Sequence, residues 1–260
     1  MTAQSFPWLI VTGALTGLIG SLLGVGGGVF LVPVLVLLFH VPMHLAVGTS
    51  LVVVVTTSST VGALRGAAGT PNLPLGLVLE LSTLVGAIGG GLVAGLVPAR
   101  ALVAIFGLIL LPIGVLMWKR NRPAAAATPA TSGYQVRNLP AGLSVSFLAG
   151  AISGLLGVGG GIVKIPALTL LCGVPTKVAV ATSNFMIGIT AAASVFLYIG
   201  RREVEPMLTA AVVVGVMIGS GFGLALGRKL EGWQIRRVFA ALLWITATQM
   251  LLRAGGWWLR

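Results

Sequence analysis

Leu22-Leu23-Gly24-Val25-Gly26-Gly27-Gly28 returns, residue for residue, as Leu155-Leu156-Gly157-Val158-Gly159-Gly160-Gly161. Sliding the chain by 133 positions aligns residues 17–50 with 150–183 without a gap, and nineteen of those 34 positions are identical. Pro33 falls on Pro166, Val41-Pro42 on Val174-Pro175, and Thr49-Ser50 on Thr182-Ser183. Shared composition does not produce that agreement; the chain is a duplication. A duplicated hydrophobic unit broken by glycines is the pattern of membrane transporters assembled from internal repeats.

Composition points the same way. Of 260 residues, 57% are hydrophobic and 8% charged, with a mean hydropathy of +1.09. Twenty charges on 260 residues do not supply the polar surface that a water-soluble fold needs, whereas a lipid-facing surface is apolar throughout. The sixteen Lys and Arg outnumber four acidic residues, Glu80, Glu203, Glu205 and Glu231. These basic residues lie between apolar runs, as the positive-inside rule and anionic lipid require, rather than in the continuous patch that phosphate backbones need. Nucleic acid is therefore excluded as a partner, and the bilayer is expected. A positive interior potential suits an anionic substrate.

Apolar segments run over 8–24, 29–39, 44–64, 74–97 and 100–118, then over 141–157, 162–172, 178–199, 206–227 and 235–252. A crossing takes about 20 apolar residues. The last three segments of each half meet that length, while 29–39 and 162–172 read as pieces of a broken or re-entrant helix whose break is the glycine run. The expectation is an all-α polytopic membrane protein of two inverted repeats, with about eight membrane segments in all. The first repeat covers 1–118 and the second 141–260. Between them, 119–140 contains KRNRPAAAATPATSGYQVRN, which reads as a flexible basic linker on the cytoplasmic side. If each half crosses an odd number of times, ten basic residues fall on one side and five on the other, against nine and six for an even number. The uneven split favours the inverted arrangement with both termini periplasmic. The first residues, MTAQSFPWLIV, lack the basic region of a cleavable signal peptide. Trp8, Trp118, Trp233, Trp257 and Trp258 stand at segment ends, as interfacial anchors do.

The glycine runs are the leading candidate site. Consecutive glycines cost helix stability, and in lipid each freed N–H or C=O must find a partner. Opening the helix at Gly26, Gly27 and Gly28, and again at Gly159, Gly160 and Gly161, turns backbone N–H groups towards a cavity. The start of the next helix adds a partial positive charge that suits an anion. A sharp turn or close packing is the structural alternative. Pro33 and Pro166 fit the early turns of the short helices, or kink them. A phosphate-binding loop is excluded, because no strand precedes the run and no Gly-Lys-Ser/Thr follows it.

Lys164 is the basic residue within GGGIVKIPAL, and an intramembrane lysine is by default a functional hypothesis. Neutralising a bound anion, carrying a proton and snorkelling to an interface all remain open for it. Thr49-Ser50 and Thr182-Ser183-Asn184 begin the next long segments and stand as substrate ligands or as helix contacts. Glu80 reads as an interfacial carboxylate, with proton coupling as the alternative. Gly86 and Gly90 align with Gly219 and Gly223, a GxxxG spacing that signals close helix packing. His40 and His44 have no acidic or cysteine co-ligand in their neighbourhood of the sequence, so no metal is expected. The single cysteine, Cys172, excludes an internal disulfide and reads as a packing residue. The chain offers no set of nucleophile and base, so neither enzymatic activity nor a cofactor is expected.

At LLGVGGGVFLVPVLVLLFHVP with AVGTS, and at LLGVGGGIVKIPALTLLCGVP with AVATSN, the sequence resembles the TauE/SafE family of membrane permeases. ALRGAAG and LYIGRREVE, which close the 44–64 and 178–199 segments, also resemble that family's loops. The likeness implies a bacterial inner-membrane protein related to exporters of sulfite and of organosulfonates such as sulfoacetate, with thiosulfate as a further candidate. It carries over to Gly24 to Gly28, Pro33 and Thr49-Ser50, and to Gly157 to Gly161, Pro166 and Thr182-Ser183-Asn184. A passive anion channel, an importer of a related anion and a non-transporting scaffold are the alternatives. The oligomeric state stays open.

Overall fold

The computed structural model describes residues 6–65, 71–119, 136–226 and 232–255, and among them the regular structure is helical. Ten elements follow in order. The first half holds α1 (Phe6–Leu23), α2 (Gly28–Leu37), α3 (Met43–Arg65), α4 (Leu73–Leu96) and α5 (Ala99–Lys119). The second holds α6 (Leu139–Leu156), α7 (Gly161–Pro166) continued by a wider π-turn over Ala167–Leu171, α8 (Thr176–Gly200), α9 (Pro206–Leu226) and α10 (Gly232–Ala254). Shifted by 133 positions, the two series start and stop within a few residues of one another.

Local chemistry sets these boundaries. Asn72 caps α4, its side chain accepting the Leu75 N–H at 3.1 Å, with Pro74 in the first turn. Pro98 follows the end of α4, and Pro175 and Pro206 open α8 and α9. Pro166 donates no N–H, and beyond it the helix widens. Cys172 N–H then reaches the Ala167 carbonyl five residues back at 3.2 Å, and the Thr169 hydroxyl helps to satisfy the carbonyls of Ile165 and Pro166.

Among the described residues five helices are long and apolar enough to cross a membrane: Met43–Leu64, Leu73–Leu96, Leu139–Leu156, Val178–Gly200 and Pro206–Leu226. Shorter apolar stretches are Phe6–Leu22, Gly28–Leu37, Ala99–Val115 and Ala240–Ala254. At the segments 100–118 and 235–252 of the sequence stand α5 (Ala99–Lys119) and α10 (Gly232–Ala254). Most of the linker, residues 120–135, and Trp257 and Trp258 lie outside the described residues. Trp8 is two-thirds exposed and Trp118 42% exposed, as residues at a lipid boundary are.

The halves are interleaved. Helix α1 packs along α9, and its equivalent α6 packs along α4. Both interfaces close through bare Cα atoms. A Cβ on Gly86 or Gly90 would run into the carbonyl oxygens of Phe147 or Ala151, and one on Gly219 into that of Ala14. Gly223 meets Leu18 and Ser21 in the same way. The approach is mutual: Gly150 and Gly154 sit on the carbonyls of Thr83 and Ala87, and Gly13 and Gly17 on those of Val212 and Val216. Where equivalent helices meet, they run antiparallel. Gly48, near the start of α3, touches Glu203, just past the end of α8, whereas Ser58, further along α3, touches Gly188. Arg100 at the start of α5 binds the Ala254 carbonyl at 3.0 Å, and Trp118 at its end packs on Trp244 at 5.5 Å.

Gly86→Leu or Gly219→Leu forces these helices apart and should cost about 1–3 kcal/mol or more, read as lost membrane-fraction yield and a lowered melting temperature in detergent. Gly89→Leu, where a Cβ meets nothing within 4 Å, should leave both unchanged.

Candidate functional site

Each break holds three glycines in the left-handed region at equivalent places. Gly24, Gly26 and Gly27 have φ of 69°, 84° and 79°, and Gly157, Gly159 and Gly160 have 71°, 81° and 69°. A side chain at these positions is strained whatever space surrounds it. Gly28 and Gly161, with ordinary φ, are glycine for another reason: the two breaks touch. A Cβ on Gly28 would strike the Gly157 carbonyl oxygen, and one on Gly161 would lie 3.3 Å from that of Gly24. Ser50 donates to the Gly157 carbonyl at 2.7 Å, so hydroxyl, carbonyl and bare Cα meet in one spot.

Two side chains fill the centre. Val54 of α3 and its equivalent Ile187 of α8 both lie against Gly26 and against Gly159. The sequence places an open anion cradle at the breaks; in this conformation these aliphatic groups cover them. Beside them, between α3 and α8, is a cavity of about 400 Å³ lined by Ser58, Ser59, Gly62, Pro71, Asn184 and Gly188, with other residues. Asn184 joins the two features. It lines the cavity, and its amide stands 3.7–3.9 Å from where a Cβ of Gly24 would be. Ser58 donates a short hydrogen bond to the Asn184 carbonyl.

The remaining sequence candidates divide. Ser183 is buried, and its hydroxyl has no hydrogen-bond partner. Thr49 and Thr182 are buried at opposite ends of the α3–α8 pair and hold helices together. Thr49 shares a 3.3 Å hydrogen bond with Thr209 of α9, while Thr182 accepts the Asn72 N–H at the start of α4 at 2.9 Å. Pro33 lies inside α2 and Pro166 ends α7, both within the short helices that follow the breaks.

The related space on the opposite side of the centre is built differently. Ser58, Ser59 and Asn184 correspond to Ala191, Ala192 and Leu51, while the hydroxyls that replace Val61 and Ile189, Ser194 and Thr56, are turned back onto the carbonyls of Thr190 and Val52. Gly48 there touches the Glu203 carbonyl and Val204. Arg201 ties this end down, donating to Glu203 at 2.8 Å and to the Gly91 carbonyl at 2.7 Å, with its guanidinium 4.5 Å from the Tyr198 ring centre. Tyr198 donates in turn to the Gly154 carbonyl at 2.9 Å, and His44 Nδ1 stands 3.7 Å from Glu203. No cluster of His, Cys and acidic residues that could hold a metal occurs among the described residues.

Lys164 neither snorkels nor lines the cavity. Its ammonium is 1% exposed and bonds Glu80 Oε2 at 3.2 Å and Thr190 Oγ1 at 2.9 Å. Glu80, read from sequence as interfacial, is buried with it, and its Oε1 lies 2.5 Å from Thr190 Oγ1. The pairing was invisible in the sequence because 84 positions separate the partners. The available signal was one lone acid and one lone base, each inside an apolar segment.

Removing one member strands the other charge in an apolar interior. Lys164→Leu alone should lose about 3–5 kcal/mol of stability. Adding Glu80→Val should restore most of it, read by thermal unfolding of the purified protein.

The family model for the sulfite exporter TauE/SafE matches residues 9–250. The probable membrane transporter protein YunE of Bacillus subtilis is 30% identical over 95% of this chain and 98% of its own length. The probable membrane transporter protein MJ0441 of Methanocaldococcus jannaschii is 26% identical over 95% of each chain. A sulfite exporter TauE/SafE family protein of Arabidopsis thaliana, number 6, is 32% identical over 42% of this chain and 24% of its own length. No solved structure matches. A glycine-broken helical scaffold, five helices long and apolar enough to span a bilayer and a family match over nearly the whole length lead to one assignment: this chain belongs to the TauE/SafE family and is a multi-pass membrane transporter of that type.

Proposed function

We propose that this protein exports a small sulfur-containing oxyanion across the bacterial cytoplasmic membrane by alternating access. The candidates are sulfite, thiosulfate, and sulfoacetate or another organosulfonate. The observation that carries the reading is the centre itself. Two glycine breaks lie back to back, a cavity that carries Ser58, Ser59 and Asn184 opens on one side of them, and the related space on the other side is closed by the Gly48–Glu203 contact and the Arg201 hydrogen bonds. The antiparallel meeting of α3 with α8 and of α5 with α10 supports two inverted repeats, because a two-fold axis in the membrane plane reverses equivalent helices.

In this reading the cavity is one access path. Ser58, Ser59 and Asn184 are its hydrogen-bonding groups, and Asn184 hands the anion to the first break. Displacing Val54 and Ile187 bares the N–H groups around Gly26 to Gly28 and Gly159 to Gly161, with Ser50 and Ser183 beside them. An anion finds hydrogen-bond donors there and a site dry enough to strengthen them. Thr49 and Thr182 set the depth at which α3 and α8 pass the site. Lys164 acts through Glu80, because its ammonium is already engaged. By the positive-inside rule the linker and its basic neighbours argue for a cytoplasmic cavity mouth, beside Gly62 and Pro71, and for periplasmic termini. Anion export gains about 2.3 kcal/mol per unit charge per 100 mV of inside-negative potential, so no driving ion is demanded for it.

Purified protein in liposomes, with the potential clamped, should move labelled sulfite or thiosulfate saturably. Unlabelled anion on the far side should accelerate that flux. Linear flux without counterflow means a channel; no flux of any of the three anions sends the substrate search elsewhere. Gly27→Leu and Gly160→Leu should each abolish transport with the protein still inserted, because a side chain there violates the backbone geometry of the break. Normal transport by both removes the breaks from the mechanism. Asn184→Leu, which puts the equivalent residue of the closed side into the cavity, should cut flux at least about tenfold, the effect of losing roughly 1.4 kcal/mol of transition-state binding.

A further inference from the structure

The Glu80–Lys164–Thr190 cluster is left unexplained by packing and by the anion path. The two other ion pairs among the described residues, His44–Glu203 and Arg201–Glu203, have side chains 19–26% exposed, whereas this pair is 1–3% exposed. It joins α4, α7 and α8 at the bundle's interior. Shifted by 133 positions, the equivalents are Val213 of α9, Leu31 of α2 and Thr57 of α3. Leu31 is fully buried, and Thr57 bonds the carbonyl one turn back at 2.9 Å, just as Thr190 bonds that of Met186. The equivalent positions on α9 and α2 therefore carry hydrocarbon where α4 and α7 carry two charges. A buried ion pair is commonly no more stabilising than well-packed apolar residues of similar volume. Charges kept at membrane depth point to a step in which charge changes.

The hydrogen bonds around Glu80 accept either protonation state without rearrangement of heavy atoms. Thr190 Oγ1 carries one hydrogen and two acceptor positions. With Glu80 ionised, that hydrogen goes to Oε1 at 2.5 Å, and the hydroxyl accepts from Lys164 at 2.9 Å. With Glu80 protonated, the carboxyl donates to Thr190, Lys164 continues to donate to it, and the threonine hydrogen turns to the Met186 carbonyl at 2.9 Å. Every group stays satisfied in both states. The cluster is also one helical turn from the centre, since Lys164 is three residues past Gly161 and Thr190 three past Ile187.

We propose that Glu80 is a proton-binding site through which this protein couples one proton to the movement of its anion. Ionised, Glu80 and Lys164 together are neutral. Protonated, the site carries the single positive charge of Lys164, which an apolar interior tolerates when one negative charge arrives nearby. Proton and anion then enter and leave together, so the coupled half of the proposal rests on the transport reading above. Lys164 is the charged group that reaches Glu80. Glu80 is the sole ionisable residue of α4, and α6 has none. On α8, Tyr198 and Arg201 bond Gly154 and Gly91, about three turns along α4 from Glu80. The side chain of Lys177 lies outside the described residues. Cys172 packs by Gly142, which also borders Leu79.

With no Asp and only four Glu in the chain, infrared spectroscopy resolves the question directly. The protein in lipid nanodiscs is titrated with acid while circular dichroism confirms that it remains helical. A protonated-carboxyl carbonyl component at the high frequency of an apolar interior should appear in the wild type, Glu203→Gln and Glu205→Gln, and be absent from Glu80→Gln, where only the band of water-exposed carboxyls grows with acid. If Glu80→Gln does not fold, the Glu80→Val/Lys164→Leu pair, copied from the equivalent positions Val213 and Leu31, serves in its place. No such band in the wild type, or its persistence in the Glu80 variants, overturns the proposal. In liposomes at zero potential, a gradient of about one pH unit should shift the steady-state sulfite or thiosulfate ratio about tenfold for one proton per anion. A ratio indifferent to the gradient overturns the coupling. A Glu80 band together with no anion flux supports the proton site and removes the transport reading instead.

Discussion

Carbonyl oxygens seated on bare Cα atoms hold this molecule together. In lipid the apolar faces of helices have no water to escape, so association rests on close packing and on polar contacts between backbones. The chain meets that constraint twice over. Along α1–α9 and α4–α6, glycines on both helices let the backbones touch, and at the centre Gly28 and Gly161 let the two broken helices do the same. Only the second contact requires broken helices. There the Gly157 carbonyl has lost its place in a regular helix, and the Ser50 hydroxyl of α3 supplies the missing donor. Rigid interfaces at the flanks and an irregular, hydrogen-bonded seam at the centre localise any rearrangement at the seam.

The departures from symmetry tell more than the symmetry. Two equal halves would offer equal access to both sides of the membrane at once, which describes a pore. Here the duplication supplies one frame, and three substitutions within it set the sides apart: Ser58, Ser59 and Asn184 against Ala191, Ala192 and Leu51. The closed side carries its own chemistry, with Arg201 reaching from the end of α8 to the Gly91 carbonyl of α4 and to Glu203. Lys164 and Glu80 against Leu31 and Val213 form a second asymmetry, in the same bundle as the Arg201 contact. Ionic groups thus gather on α4, on α7 and at the end of α8, where His44 of α3 faces Glu203.

How much of this was legible in the sequence follows from the range of each interaction. The breaks were legible because a run of glycines in an apolar segment is a local signal, and its repetition 133 residues later removed the ambiguity. The close packing of Gly86, Gly90, Gly219 and Gly223 was legible for the same reason, whereas nothing local pairs them with Gly13, Gly17, Gly150 and Gly154, which carry the same spacing on α1 and α6. The contacts between distant segments were not legible. Nothing local says that Glu80 meets Lys164, that Val54 and Ile187 stopper both breaks, or that Thr49 and Thr182, aligned by sequence, face α9 and α4 rather than each other.

Plugging the breaks with Val54 and Ile187 has an energetic consequence for how a small anion could be handled. An anion held at exposed glycine N–H groups in a dry site binds strongly, and strong binding slows release. Aliphatic side chains that return to the same space compete with the anion for it, and each turnover then replaces one set of contacts by another instead of leaving a void or an unsatisfied amide. Val54 and Ile187 come one from each half, so withdrawing either would bare the breaks from one side only. Because each lies against both Gly26 and Gly159, neither can move without loosening both breaks. The geometry that joins the repeats is in this way also the geometry that would make them act together.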